Sequence, residues 1–350
     1  MQSYNPAGTK GFDFLEFTTN DPQKLIQQFE SMGFVKIAKH KTADITIYQQ
    51  NDIRFILNLE KNSLASQFAD THGASVCAMG FRVNNAEEAF DHVISHGARE
   101  SSESHLYDMP AIHGIGHSLI YFVDYKNNVA NYAHHFDYLP QANNVNPGAG
   151  LTYIDHVTHN LFRGNMSEWA DYYTELFNFR EIRYFDIEGK LTGLKSKAMT
   201  SPCGKIRIPL NESSDDKSQI EEFLKDFNGE GIQHIALGTN NIYLTVESLN
   251  KTGLQFLDTP DTYYELIESR LPNHGEATEK LKQLRILIDG ETHESKRLLL
   301  QIFTKNMLGP VFFEIIQRKG DEGFGEGNFR ALFESIELDQ IRRGVLAEEK

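Results

Sequence analysis

The stretch Ala78-Met79-Gly80-Phe81-Arg82-Val83-Asn84-Asn85 leads into the helix-like Ala86-Glu87-Glu88-Ala89-Phe90-Asp91-His92-Val93. Much further along, His234-Ile235-Ala236-Leu237-Gly238-Thr239-Asn240-Asn241 leads in the same way into Ile242-Tyr243-Leu244-Thr245-Val246-Glu247-Ser248-Leu249. A pattern that returns at this distance is a duplication, and a duplication decides the fold before any single element does.

The echo extends to the start of each half. Phe12-Asp13-Phe14-Leu15-Glu16-Phe17 reads as a strand, and Asn20-Asp21-Pro22 supplies a cap with proline at the first helical position. Leu25, Ile26, Phe29 and Met32 share one helical face, and Gly33-Phe34 ends the helix. In the second half Tyr153-Ile154-Asp155-His156-Val157 is the matching strand. There Ser167 is expected to cap a helix carrying Trp169, Tyr172, Tyr173 and Leu176, with Asn178-Phe179 as its stop.

Each half thus contains strand, helix and strands twice over, giving an α+β protein of four small βαβββ modules in two pairs. The run from Leu139 to Gly150 is rich in Pro, Gly and Asn and poor in large apolar residues, so it reads as a linker. The domains expected are residues 1–140 and 151–350.

Bulk properties narrow the partners. At 350 residues with 40% hydrophobic and 24% charged residues the chain has a globular balance. A formal net charge of -15 sets it against a phosphate backbone and an anionic membrane surface, so neither nucleic acid nor membrane is expected. The start of the chain has neither the basic residues nor the apolar run of a secretory signal. Two cysteines, Cys77 and Cys203, match no disulfide framework and no zinc-finger spacing, and a reducing, cytoplasmic setting is expected.

The two halves differ in one respect that bears on chemistry. Where the second has His156 and His234, the first has a position near Leu15 or Glu16, and Ala78. A third residue stands out in Val311-Phe312-Phe313-Glu314-Ile315-Ile316-Gln317, an apolar strand with one carboxylate at its centre. Burying a carboxylate there costs several kcal/mol unless it is paired, protonated or bound to metal. Two imidazoles and one carboxylate form the donor set of a non-haem Fe(II) facial triad, which leaves positions open for substrate and oxygen.

Histidine alone proves little here, since the chain has 14 and a lone one is more often structural. His159 competes with His156, but on a strand the two face opposite ways, so only one can serve. The pairs His134-His135 and His113…His117 have no buried carboxylate near them in sequence and read as structural.

These residues resemble the 4-hydroxyphenylpyruvate dioxygenase family of the vicinal oxygen chelate superfamily. The resemblance rests on Gln301-Ile302-Phe303-Thr304-Lys305, Phe312-Phe313-Glu314-Ile315-Ile316-Gln317-Arg318, and the run from Gly323-Phe324-Gly325 to Phe329-Arg330-Ala331-Leu332-Phe333. Asp155-His156 and Gly231-Ile232-Gln233-His234-Ile235-Ala236 fit it too, while over the first half the likeness is mainly architectural.

The resemblance implies an open barrel-like sheet around Fe(II) held by His156, His234 and Glu314, with Gln301 also counted among the catalytic residues. It implies conversion of 4-hydroxyphenylpyruvate and dioxygen to homogentisate and carbon dioxide. The polar pocket positions it suggests are Ser196, Asn211, Gln219, Gln233 and Asn328, and the aromatic ones are Phe303, Phe312, Phe324 and Phe329. Phe303 and Phe312 could equally be core residues, and Ser196 and Asn211 strand-end polar groups. Phe329, Leu332, Phe333 and Ile336 have helical spacing, consistent with a C-terminal helix that closes over the site. A homo-oligomer, dimer or tetramer, is the family expectation.

Within the superfamily three other readings stand: hydroxymandelate synthase, a metal-free binder of aromatic molecules, and a lyase or isomerase using another divalent metal. Phe329, Pro209 and Asn211 place the chain on the dioxygenase side of the first.

Overall fold

A computed structural model describes residues 4–101, 106–143, 146–188, 193–293 and 296–332. In the first half the elements run β1 (Thr9–Thr18), α1 (Pro22–Ser31), β2 (Val35–His40), β3 (Ile45–Gln50), β4 (Ile53–Asn58), α2 (Leu64–His72), β5 (Ser75–Val83) and α3 (Ala86–Ser95). They continue with β6 (Ala111–His113), β7 (Leu119–Val123), β8 (Tyr125–Lys126), β9 (Val129–Ala130) and β10 (Phe136–Tyr138). The second half opens with β11 (Leu151–Leu161), α4 (Met166–Phe177), β12 (Arg180–Glu188), β13 (Gly193–Thr200), β14 (Arg207–Ser213) and α5 (Gln219–Phe227). After these come β15 (Gly231–Thr239), α6 (Ile242–Lys251), α7 (Asp261–Glu265), α8 (Ile267–Arg270), α9 (Thr278–Leu284), β16 (Leu287–Glu291), β17 (Arg297–Phe303) and β18 (Phe312–Lys319).

The strands form two eight-stranded sheets, ordered β10-β2-β3-β4-β1-β5-β7-β6 and β12-β13-β14-β11-β15-β18-β17-β16. The α+β architecture of repeated modules expected from the sequence is therefore present. At the centre of each sheet the same joint recurs: β1 lies antiparallel to β5 and β11 to β15, and β5 and β15 each run parallel to a third strand, β7 and β18. The second module departs from the pattern, because β10 crosses the sheet to pair with β2.

Local chemistry explains the helix starts. The Asp21 carboxylate accepts from the Lys24 amide, with Pro22 at the first helical position, and Asn85 and Asn241 cap α3 and α6 by accepting from backbone amides of their first turns. α4 corrects one expectation. It begins at Met166, so Ser167 lies inside the helix; Glu212 from β14 instead accepts from the Gly164 and Met166 amides. A carboxylate reaching in from another strand is favoured at the positive end of a helix and leaves no mark in the local sequence.

The two halves share one apolar core. Phe313 of β18 packs against Phe17 and Phe55 of the first half at ring separations of 6.4 and 6.0 Å, and Phe81 meets Phe177 at 5.5 Å. The segment read as a linker is docked into this joint. Asn146 donates to the carbonyls of Gly33 and Gln49, and the Leu151 amide donates to Gln50. Gly148 sits at φ +49°, where an added Cβ would fall on the Gln50 amide and the Gly33 carbonyl. A second cluster, built around Phe14, Ala78, Tyr107, Tyr121 and Tyr132, belongs to the first half alone.

Candidate metal centre

Strand register brings His156, His234 and Glu314 together around one small residue. Ala236 of β15 is paired with His156 of β11 on one side and with Glu314 of β18 on the other. His234 lies two residues before Ala236, and since side chains alternate along a strand it shares that face. The three residues' ligand atoms lie within 4.8 Å of one another, with His156 Nε2 3.2 Å and His234 Nε2 3.5 Å from Glu314 Oε2. Donors bound at right angles about 2.1 Å from one ion would stand about 3 Å apart, so the set fits a divalent cation. Burial works against charge on Glu314, but the two imidazoles outweigh it and hold the carboxyl down at about 2.

Each imidazole is oriented by the residue just before it. Asp155 Oδ1 accepts from His156 Nδ1 at 2.8 Å, and Gln233 Oε1 accepts from His234 Nδ1 at 2.9 Å. Both rings therefore present Nε2 to the cluster, and such outer partners fix tautomer and ring angle. The Thr158 hydroxyl also lies 3.0 Å from His234 Nε2. Asp155 is held in turn by Arg318, whose Nε and Nη2 donate to its two oxygens at 2.8 Å each. Arg318 further donates to the carbonyls of Asp321 and Gly323, and its guanidinium lies over the Phe324 ring.

A second chain of hydrogen bonds starts from the carboxylate. Gln301 Nε2 donates to Glu314 Oε1 at 3.1 Å, and its Oε1 accepts from Asn328 Nδ2 at 2.9 Å. Asn328 Oδ1 accepts from the Tyr263 hydroxyl at 2.7 Å and from Arg270 at 3.3 Å. Gln301 and Asn328 were expected near the site; Tyr263 and Arg270 were not, and their sequence carried no signal. Asp155 and Arg318 stood inside the quoted motifs with no role assigned.

The aromatic residues collect on the imidazoles. Phe312 stacks on His234 at 5.0 Å and 18°, Phe303 meets the same ring edge-on at 6.4 Å, and Phe324 meets His156 edge-on at 5.2 Å. Phe329 is 41% exposed, and no ring contact joins it to the cluster among the described residues. The helix expected to close over the site has a helical stretch at 326–332, but Phe333 and Ile336 lie outside the described residues.

Polar residues line the neighbouring strands. Ser196 and Asn211 are paired across β13 and β14, and Asn211 is paired with Asn160 of β11. Asn160, two residues beyond Thr158, is fully buried, yet neither its side-chain oxygen nor its nitrogen has a partner among the described residues. An orphaned amide facing the same side as the triad is what a polar ligand would satisfy, and the sequence reading missed it. Gln219 is exposed in the first turn of α5.

His159 faces the opposite way, as strand alternation requires. Its Nε2 pairs with the Tyr173 hydroxyl of α4 at 2.8 Å, and burial pushes its pKa down to about 3. The counterpart of His156 in the first half is not Leu15 or Glu16. Both β1 and β11 carry a bulge, so register aligns Phe14 with His156, each facing the matching strand residue, Gly80 or Ala236. By the same registers Ala78 stands for His234 and Tyr121 for Glu314. Phe14 and Tyr121 pack at 6.0 Å, so aromatic core fills the space where the second half gathers its ligands.

Repeated βαβββ modules enclosing a buried His–His–Glu cluster define an enzyme scaffold of the vicinal oxygen chelate class. Residues 3–138 match the model for the N-terminal part of hydroxyphenylpyruvate dioxygenase, and residues 153–267 that of the glyoxalase/bleomycin resistance protein/dioxygenase superfamily. The 4-hydroxyphenylpyruvate dioxygenase of Legionella pneumophila (strain Corby) is 56% identical over 350 residues, covering 99% of both chains. That of Pseudomonas aeruginosa is 52% identical, covering 99% of this chain and 98% of the relative. Among solved structures, a triple mutant of 4-hydroxymandelate synthase from Streptomyces coelicolor superposes with a TM-score of 0.79 at 25% identity, over 95% of this chain and 99% of that one. The chain belongs to the 4-hydroxyphenylpyruvate dioxygenase family. Among the described residues no helix is long and apolar enough to cross a membrane.

Proposed function

We propose that this chain converts 4-hydroxyphenylpyruvate and dioxygen to homogentisate and carbon dioxide, with both oxygen atoms entering the product, and that His156, His234 and Glu314 hold Fe(II). The observation that carries this is the convergence of two neutral-capable imidazoles and one buried carboxylate around Ala236, in a chain similar over its full length to dioxygenases of that name.

The ferrous ion supplies chelation of the substrate's 2-keto acid and activation of dioxygen. The protein's share is positional. Asp155 and Gln233 aim the imidazoles, and Gln301 holds Glu314 from its far oxygen. Ser196, Asn211 and the orphaned Asn160 offer uncharged hydrogen-bond groups to the polar ends of the substrate. Phe303, Phe312 and Phe324 wall the imidazoles with rings, which suits a phenol and keeps water from the reacting centre. Catalysis is confined to the second half, and the first, with Phe14, Ala78 and Tyr121 at the matching positions, is a scaffold that lacks the triad.

The test is oxygen uptake with 4-hydroxyphenylpyruvate, with and without Fe(II), together with identification of the product. Homogentisate is expected, and Glu314→Ala is expected to lower turnover by more than about a hundredfold, since even outer-shell losses reach that size. Formation of 4-hydroxymandelate, or full activity in Glu314→Ala, would overturn the assignment.

A further inference from the structure

The first sheet ends in β6 on one edge and β10 on the other, and the structure brings these two edges together. The segment Leu106–Pro110, which leads into β6, reaches across to the opposite rim. Its Leu106 carbonyl lies 2.9 Å from His40 Nε2 at the end of β2, and the fully buried Tyr107 stacks on Phe136 of β10 at 6.2 Å. The seam of this half is thus closed. In the second half the corresponding seam holds a cleft of about 360 Å³, lined in part by Arg183 of β12 and by Asp289 and Glu291 of β16.

At the closed seam stands a second group of metal-ligating side chains, unrelated to the triad. Asp108 comes from the β6 side, and His134 and His135 come from the turn that feeds β10. Ligand atoms from all three lie within 4.8 Å of one another. We propose that Asp108, His134 and His135 form a binding site for a divalent transition-metal ion of borderline softness, such as zinc, that clasps the two edges of the first sheet.

The side chains are prepared for this role in three ways. His134 Nδ1 donates to the Asn131 carbonyl at 2.8 Å, which leaves Nε2 as the lone-pair nitrogen, the arrangement found in metal-bound histidines. His135 Nε2 is buried and has no hydrogen-bond partner among the described residues, an arrangement that is unfavourable unless something satisfies it. The ring of His40 lies parallel to that of His135 at 5.7 Å and is itself engaged, Nε2 with Leu106 and Nδ1 accepting from the Ala43 amide at 3.0 Å, so it braces His135 without competing as a ligand.

The neighbouring cation Lys41 is engaged by the His134 carbonyl at 2.6 Å. Two imidazoles and a carboxylate suit zinc, nickel or cobalt better than magnesium or calcium, which prefer all-oxygen sites. Asp108 adopts a left-handed φ of +51°, so the carboxylate is presented from a tight turn that a metal would hold in place.

The experiment is a calorimetric titration of the metal-stripped full chain with zinc, with bound metal counted by elemental analysis after desalting. Two equivalents are expected for the unmodified protein. Asp108→Asn and His134→Gln, both changes at exposed positions, are expected to bind one equivalent while retaining Fe(II)-dependent turnover. Glu314→Gln is expected to lose the other equivalent, so failure of the triad assignment and failure of this one give different counts. Zinc should also raise the melting temperature of Glu314→Gln but leave that of a Glu314→Gln/Asp108→Asn double variant unchanged. A single equivalent in the unmodified chain, or two equivalents surviving in Asp108→Asn and His134→Gln, overturns the proposal.

Discussion

Asp13 and Asp155 occupy the same position in the two halves: each is the extra residue in the bulge of its strand, between Phe12 and Phe14 in one case and Ile154 and His156 in the other. Both are buried and both are gripped from the neighbouring elements. Asp13 accepts from Arg82, Tyr125 and Tyr132, and Asp155 from Arg318. Tyr125 and Arg318 match by position, each four residues past the register-equivalent pair Tyr121 and Glu314. The anchored aspartate is therefore a property of the module. What differs is the next side chain, a phenylalanine in the core of one half and a metal-facing imidazole in the other.

If Asp155 aims His156, weakening its grip should be read first at the metal. Arg318→Gln and Asp155→Asn are each expected to weaken Co(II) binding by about ten- to a hundredfold, followed by visible absorption of the bound ion. Arg318→Gln also strands a buried carboxylate, so its melting temperature should fall further than that of Asp155→Asn. Unchanged Co(II) affinity in both would mean the pair serves folding alone.

Gly325 lies at φ +78°, and a Cβ built there would collide with the Gln301 side-chain oxygen. Gly325→Ala should push Gln301 off Glu314 and break its bond to Asn328. The expected result is a fall in kcat of about tenfold or more, with Co(II) affinity changed less than in Arg318→Gln. Wild-type kinetics would show that the segment shifts without disturbing Gln301.

In the first half the aromatic filling should matter for stability and not for chemistry. Phe14→Ala removes a fully buried ring that touches Tyr107, Tyr121 and Tyr132, and a loss of about 3–5 kcal/mol is expected in chemical denaturation. Metal binding by the triad should be retained in the folded fraction. A loss smaller than about 1 kcal/mol would contradict the filled-site picture.

His159 makes acid sensitivity testable. Its folded pKa is about 3, against about 6.5 when unfolded. Between these values the unfolded chain binds a proton that the folded chain does not, so stability falls as pH falls, by about 1.4 kcal/mol per unit for this group. His159→Asn should remove that slope between pH 6 and pH 4 in equilibrium unfolding. An identical slope in both proteins would show that His159 does not stay neutral in the fold.

Much of this protein was legible in the residues because the relevant signals are local. Proline after a capping aspartate, apolar residues at helical spacing and a repeated strand–helix transition each act within a dozen residues. Glu314 betrayed itself by its neighbours, since a carboxylate flanked by Phe313, Ile315 and Ile316 is out of place unless something offsets its burial. Alternation showed that His156 and His159 cannot both serve, and the family resemblance chose His156.

Other features depended on which strand lies beside which, and by how many residues each is shifted. The bulges that align Phe14 with His156, the position of Ala236 beneath three ligands, the reach of Tyr263 and Arg270 to Asn328, and the meeting of Asp108 with His134 and His135 all join residues remote along the chain. Register is chosen by long-range packing of the two inner faces, and slipping one strand by a single residue would send every side chain on it to the other side. Periodicity told which residues could face inward; only the packed sheets determined which of them meet.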